Sequence, residues 1–207
     1  MMFSAYPLFI PSLTNQLCEQ LIDFAKSFVL AQAYDPNQEM SEADWTAFHN
    51  FHRQTQTVPS TYKTFDLPDT LQEQIKLELR DCVFPFQQFA IAMQYITSGQ
   101  RLCTHRDAGR TLNLIYNLTN DQSITEFYQN HTPQDTRYVF DLDELHGPIE
   151  THCFLPHTWY VFNNQQVHSV INAYQSRIAL TVNIDATFKD FLKYFENKNL
   201  VDFSYQC

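Results

Sequence analysis

Apolar residues in this chain recur with two different periods, and the change between them divides it. After Pro11, the residues Leu13, Leu17, Leu21, Phe24 and Phe28 fall at three- and four-residue spacing. That spacing predicts an amphipathic helix, with Thr14 or Asn15 as its cap. A second helix is predicted over 70–82, with Leu71, Ile75, Leu77 and Leu79 as its apolar positions and a stop before Pro85. From there the period shortens to two. FAIAMQYIT, RTLNLIYNL, ITEFY, RYVFDL, IETHCFL, TWYVFN, QVHSVIN and RIALTVNID are short runs rich in β-branched and aromatic residues, separated by Asn, Asp, Pro and Gly. A helical stretch, TFKDFLKYFENKN, follows the last of them. The pattern predicts a mainly β protein with flanking helices, a double-stranded β-helix or jelly roll of the cupin-like type.

The stretch 34–66 breaks both periods: polar and turn residues surround isolated Trp45, Phe48, Phe51 and Tyr62. An irregular segment of this length in a compact domain is usually functional or disordered, so it is a candidate lid. The expected organisation is one domain over 1–207. It has a helical N-terminal part (1–87), a jelly-roll core (88–186) and a C-terminal helix (187–207).

Composition narrows the function. With 44% hydrophobic and 15% aromatic residues the chain is globular in type. A formal charge of −10 argues against a protein that grips nucleic-acid phosphates, which needs a basic face. No apolar run is long enough to span a bilayer. MMFSAYPLFIPS lacks the basic start and small-residue cleavage site of a signal peptide. Cys18, Cys82, Cys103, Cys153 and Cys207 are scattered, without CxxC spacing. Free thiols in a reducing compartment, the cytoplasm, are therefore expected.

The chemistry-bearing residues stand in one order: His105-x-Asp107, His168, Arg177. Two imidazoles and one carboxylate can bind one face of an iron(II) ion and leave the other positions open. Residues two apart on an extended segment share a face, so His105 and Asp107 can point at one ion. Of only three glycines in the chain, Gly99 and Gly109 bracket this pair. The third ligand follows by exclusion. His131, His146, His152 and His157 have no Arg or Lys at the distance that separates His168 from Arg177. His152 and His157 are read instead as core or surface histidines.

Strand phase supports an interior site. In RTLNLIYNL, Leu112, Leu114, Tyr116 and Leu118 share one face, and Asn113, Ile115 and Asn117 the other. In RIALTVNID, Arg177, Ala179, Thr181 and Asn183 lie opposite Ile178, Leu180, Val182 and Ile184. Buried amides and a buried guanidinium need partners, so these faces read as a site. The alternative is that they meet solvent, as on a half-exposed antiparallel strand.

Taken together, these residues resemble the iron(II)/2-oxoglutarate-dependent dioxygenases. Arg177-Ile178-Ala179-Leu180-Thr181-Val182 is similar to the R-x-A-[IL]-T-V strand of their prolyl-hydroxylase-like branch. The resemblance covers roughly 88–186. It implies iron(II) on His105, Asp107 and His168, and 2-oxoglutarate on Arg177 with help from Thr181, Tyr95 and Asn113. Tyr95 lies ten residues before His105, where the branch commonly has a tyrosine on the co-substrate. The implied reaction uses O2 to hydroxylate an unactivated C–H of a small amino-acid-like molecule or a peptide side chain. Asn183 stands where the nucleic-acid demethylases carry a second Arg, which speaks against base repair. Arg110, Trp45 and Arg137 are the candidate substrate contacts. Two other readings stay open: a non-catalytic cupin-like metal or ligand sensor, and a cupin enzyme that uses metal without 2-oxoglutarate.

Overall fold

Alternation along the strand β4 (Leu112–Asn117) sets up the layers of the molecule. Leu112, Leu114 and Tyr116 face one side, where helices cover them, and Asn113, Ile115 and Asn117 face the other; all six are buried. The computed structural model describes residues 4–31, 62–83, 89–96, 102, 104–107, 112–129, 140, 142–171 and 175–201. Around β4 lie β1 (Ala5–Pro7), α1 (Asn15–Ala31), β2 (Tyr62–Asp66), α2 (Asp69–Val83) and β3 (Phe89–Ile96). Then come β5 (Ile124–Tyr128), β6 (Pro148–Cys153), β7 (Trp159–Asn163), β8 (His168–Ile171), β9 (Arg177–Ile184) and α3 (Phe188–Asn197).

The strands form two antiparallel sheets, one of six strands in the order β1-β7-β4-β9-β3-β2 and one of three in the order β6-β5-β8. This is the mainly β jelly roll with flanking helices that the alternation predicts. Helices cover the outer face of the larger sheet. Leu17, Leu21 and Ala25 of α1, Ile75 and Leu79 of α2, and Phe188, Phe191 and Phe195 of α3 pack there with Leu114, Ile178, Leu180 and Val182. Truncating one such side chain, as in Leu180→Ala, costs about 2–5 kcal/mol through lost transfer and a residual cavity. Between the sheets lies a separate aromatic layer of Phe127, Phe154, Tyr160 and Phe162 with Ala5 and Ile115.

Helix ends follow their polar residues. The Thr14 carbonyl accepts the Cys18 N–H, which starts α1, while its own N–H and hydroxyl donate to Glu78 of α2 at 2.9 and 2.7 Å. At α3, Thr187 Oγ1 accepts from the Asp190 N–H at 3.1 Å, the ordinary N-cap bond. Among the described residues no helix is long and apolar enough to cross a membrane. Among the described residues Cys18 is buried and Cys153 exposed, and neither is in a disulfide.

Two edge strands depart from the expected pattern. The expected irregular stretch 34–66 ends in a strand, since Tyr62–Asp66 pairs with β3 at the sheet edge; 32–61 lie outside the described residues. Ala5–Pro7 forms the opposite edge on β7. Edge strands have one neighbour and a short apolar signature, and β1 holds a proline, which edge positions tolerate. Of the expected strand RYVFDL only Phe140 and Leu142 are described residues; Leu142–Glu144 make a turn of 3-10 helix with every side chain exposed.

Candidate metal centre

His105 and His168 are joined by a two-way backbone bridge. The N–H of each donates to the carbonyl of the other, at 2.8 and 2.7 Å. The bridge lays His105 beside the start of β8 and sets the two imidazoles with ring centroids 4.4 Å apart. Asp107 Oδ1 lies 3.3 Å from His105 Nε2. One ligand atom from each of His105, Asp107 and His168 falls within 4.8 Å of the others. The two histidines are buried, and the Asp107 side chain is 13% exposed.

The donor set fits a divalent ion. His168 Nδ1 lies 2.8 Å from the Gln166 carbonyl, which can only accept, so the proton belongs on Nδ1 and Nε2 keeps its lone pair. Burial first, and then the neighbouring His105, push the His168 imidazole down to about 4; Asp107 and the Gln166 carbonyl oppose them only in part. The ring is thus neutral at neutral pH, the form a metal needs. Phe162 meets it edge-on at 4.7 Å and Phe127 tilts over it at 6.1 Å, so one side of the site is dry.

Asp107 is held by the turn after β7. Its N–H donates to the Asn164 carbonyl at 3.0 Å, and its own carbonyl accepts from Gln165 Nε2 at 3.1 Å. Its Oδ2 accepts from Asn164 Nδ2 at 2.6 Å. Asn164, Gln165 and Gln166 therefore orient Asp107 and His168. Spacing alone does not reveal these residues. Their only sequence signal is a run of four amides just before a candidate ligand.

The residues expected to hold 2-oxoglutarate divide between the two faces of the larger sheet. Arg177 is 1% exposed on the inner face of β9, where Nη1 donates to Ser123 Oγ at 3.3 Å. Its cross-strand neighbour Ile96 packs with Val170 of β8, which lies on the same strand face as His168. Thr181 is on the same face of β9 as Arg177, and its hydroxyl donates to the Ala92 carbonyl at 3.2 Å. Asn113 sits opposite Asn183 on that face, and the buried Oδ1 of each makes no hydrogen bond among the described residues. Asn117 donates to the Phe154 carbonyl at 3.1 Å.

Tyr95 is a correction. It pairs across strands with Ile178, on the helix-covered face, and its hydroxyl donates to Ser176 Oγ at 3.0 Å. Strand parity separates it from the face that carries Arg177. Arg110, Trp45 and Arg137 lie outside the described residues. His152 is buried edge-on to Phe127 and 3.2 Å from Glu150, and His157 is exposed.

No protein-family model matches the chain, and no curated protein matches it. Among solved structures the chain is similar to a Pseudomonas putida prolyl-4-hydroxylase, at 14% identity and a TM-score of 0.45, over 87% of this chain and 90% of that one. It is similar to Escherichia coli ycfD at 12% identity and a TM-score of 0.44, over 63% of this chain. The matched part spans 35% of the E. coli protein. A cupin domain from Bordetella pertussis tohama I matches at 16% identity and a TM-score of 0.34, over 48% of this chain and 84% of that one. The chain's own strand order and side chains define a jelly-roll protein of the cupin type with a His-Asp-His cluster able to hold a metal ion.

Proposed function

We propose that this protein is an iron(II)/2-oxoglutarate-dependent dioxygenase that hydroxylates an unactivated C–H of a small amino-acid-like molecule or a peptide side chain. The observation that carries the reading is the convergence of His105, Asp107 and His168 in a barrel whose inner face also buries Arg177. In the net reaction one oxygen atom of O2 enters the substrate as a hydroxyl. The other enters succinate as 2-oxoglutarate loses CO2.

Iron(II), when bound, supplies the redox chemistry that couples this decarboxylation to C–H oxidation. The chain supplies geometry. His105, Asp107 and His168 would hold the ion on one face, and the Gln166 carbonyl keeps the His168 ring turned for that task. Arg177 would receive the far carboxylate of 2-oxoglutarate, since its planar fork suits a bidentate carboxylate. Thr181 would assist beside it. Phe127 and Phe162 exclude water from the His168 side.

The net negative charge of −10 supports a substrate other than nucleic acid. Scattered cysteines suit a cytoplasmic setting. The test is anaerobic reconstitution with iron(II), followed by 2-oxoglutarate, air and a library of amino acids and short peptides, with succinate measured. Succinate that depends on iron and on one substrate class supports the proposal. Iron-dependent 2-oxoglutarate binding with no succinate under any substrate would mark a ligand-binding protein instead.

A further inference from the structure

We infer that Asn164 is a positioning residue of the metal centre, pinning one carboxylate oxygen of Asp107 so that the group offers a single ligand atom; this rests on the metal-site reading above. Asn164 is fully buried, and its amide nitrogen lies 2.6 Å from Asp107 Oδ2. Its own Oδ1 is buried without a hydrogen bond among the described residues. Burying an amide with one end unmet is unfavourable, so the side chain is not there for packing. Nor does it shape the turn, because Asn163 does that by accepting the Gln165 N–H on its Oδ1 at 3.1 Å. What remains for the Asn164 side chain is the bond to Asp107.

That bond has a coordination consequence. A carboxylate can bind a metal through one oxygen or both. With the amide N–H on Oδ2, two-oxygen chelation would have to compete with a short hydrogen bond. Oδ1, beside His105 Nε2, is left as the ligand atom. Three protein donors rather than four then hold the ion, which keeps more positions open for exogenous ligands. The Asn164 carbonyl and the Gln165 side-chain amide bind the Asp107 backbone, so the carboxylate has little freedom to rotate around the pin.

The probe is cobalt(II) alone, added to the metal-free full chain and followed by calorimetry and by its visible d–d absorption. Asn164→Ala removes the side chain, and Asn164→Asp keeps its shape while removing the donor. Asn163→Ala loosens the turn and leaves the Asp107 bond intact. Both Asn164 variants are expected to bind cobalt about 10- to 100-fold more weakly, the range for lost outer contacts to a metal ligand. Their d–d bands should change in position and intensity as the carboxylate rebinds in another mode. Asn163→Ala should keep the wild-type spectrum, and melting of the metal-free variants reports folding separately. Wild-type affinity and spectrum in both Asn164 variants would overturn the inference. So would an Asn163→Ala variant that reproduces the Asn164 changes, because the turn would then be the cause. A wild-type chain that takes up no cobalt would sink the metal-site reading itself, and the inference with it.

Discussion

Tyr95 and Ile178 stand directly opposite one another in the β3–β9 pair, and both face the helices rather than the barrel interior. The Tyr95 hydroxyl reaches Ser176 Oγ at 3.0 Å instead of the site. Tyr95→Phe is therefore expected to lower stability modestly, by about 0.5–1.5 kcal/mol for one neutral hydrogen bond. Affinity for 2-oxoglutarate should be unchanged. A melting curve and a 2-oxoglutarate titration on the same variant decide this, and a large loss of affinity with normal melting would refute the placement.

Arg177→Ala separates the co-substrate from the metal. Removing one partner of a buried charge pair costs about 2–5 kcal/mol, or roughly thirty- to several-thousand-fold in 2-oxoglutarate affinity. Cobalt or manganese uptake should stay at the wild-type level, because the guanidinium is not a ligand. Unchanged 2-oxoglutarate binding would remove Arg177 as the anchor.

The His168 ring gives the metal-free protein a distinct pH dependence. Its folded value near 4 lies below the ordinary 6.5. As pH falls below 6.5 the unfolded chain takes up this proton and the folded chain does not. Stability from this group is thus complete above 6.5, declines between 6.5 and 4, and is level below that. Chelator-treated protein should show the decline in denaturant titrations, and His168→Gln should flatten it. An equally steep curve in that variant would assign the effect elsewhere.

Glu150 acts in a lower window. Burial alone would raise its pKa. The hydrogen bond from His152, the Ser4 N–H, the His152 charge and the Ser4 hydroxyl together outweigh that and hold it below the usual glutamate value. The bonds from Ser4 are 2.7 and 3.2 Å, and they tie the chain entering β1 to β6, the outer strand of the other sheet. A depressed carboxyl contributes stability above its unfolded value of 4.5, and loses it as pH falls through the folded value. Glu150→Gln should be less stable at neutral pH and show a shallower acid limb. An acid limb identical to wild type would exclude Glu150 as its source.

The ligand residues were legible because β structure converts spacing into direction. Parity puts Arg177 and Thr181 on one face, and the same rule sends Leu112, Leu114 and Tyr116 under the helices. Tyr95 marks the limit of spacing alone: counting back from His105 gives its distance along the chain, whereas its register with Ile178 gives its face. Asn164 was invisible for another reason. Its contact with Asp107 spans two distant segments, and no local pattern encodes such a contact. The edge strands β1 and β2 are short and pair on one side only, so they leave little alternation to read.

The bridge between His105 and His168 also bears on when the centre comes into being. The two residues meet only after β4 to β7 have been laid down between them, so no early local element of the chain contains the pair. Contacts of such sequence separation form late, after the entropy of closing the intervening loop has been overcome. An ion that recognises the finished cluster then binds the native state alone. By mass action it raises the unfolding free energy by RT ln(1 + [metal]/Kd), which makes the melting temperature a running measure of metal supply.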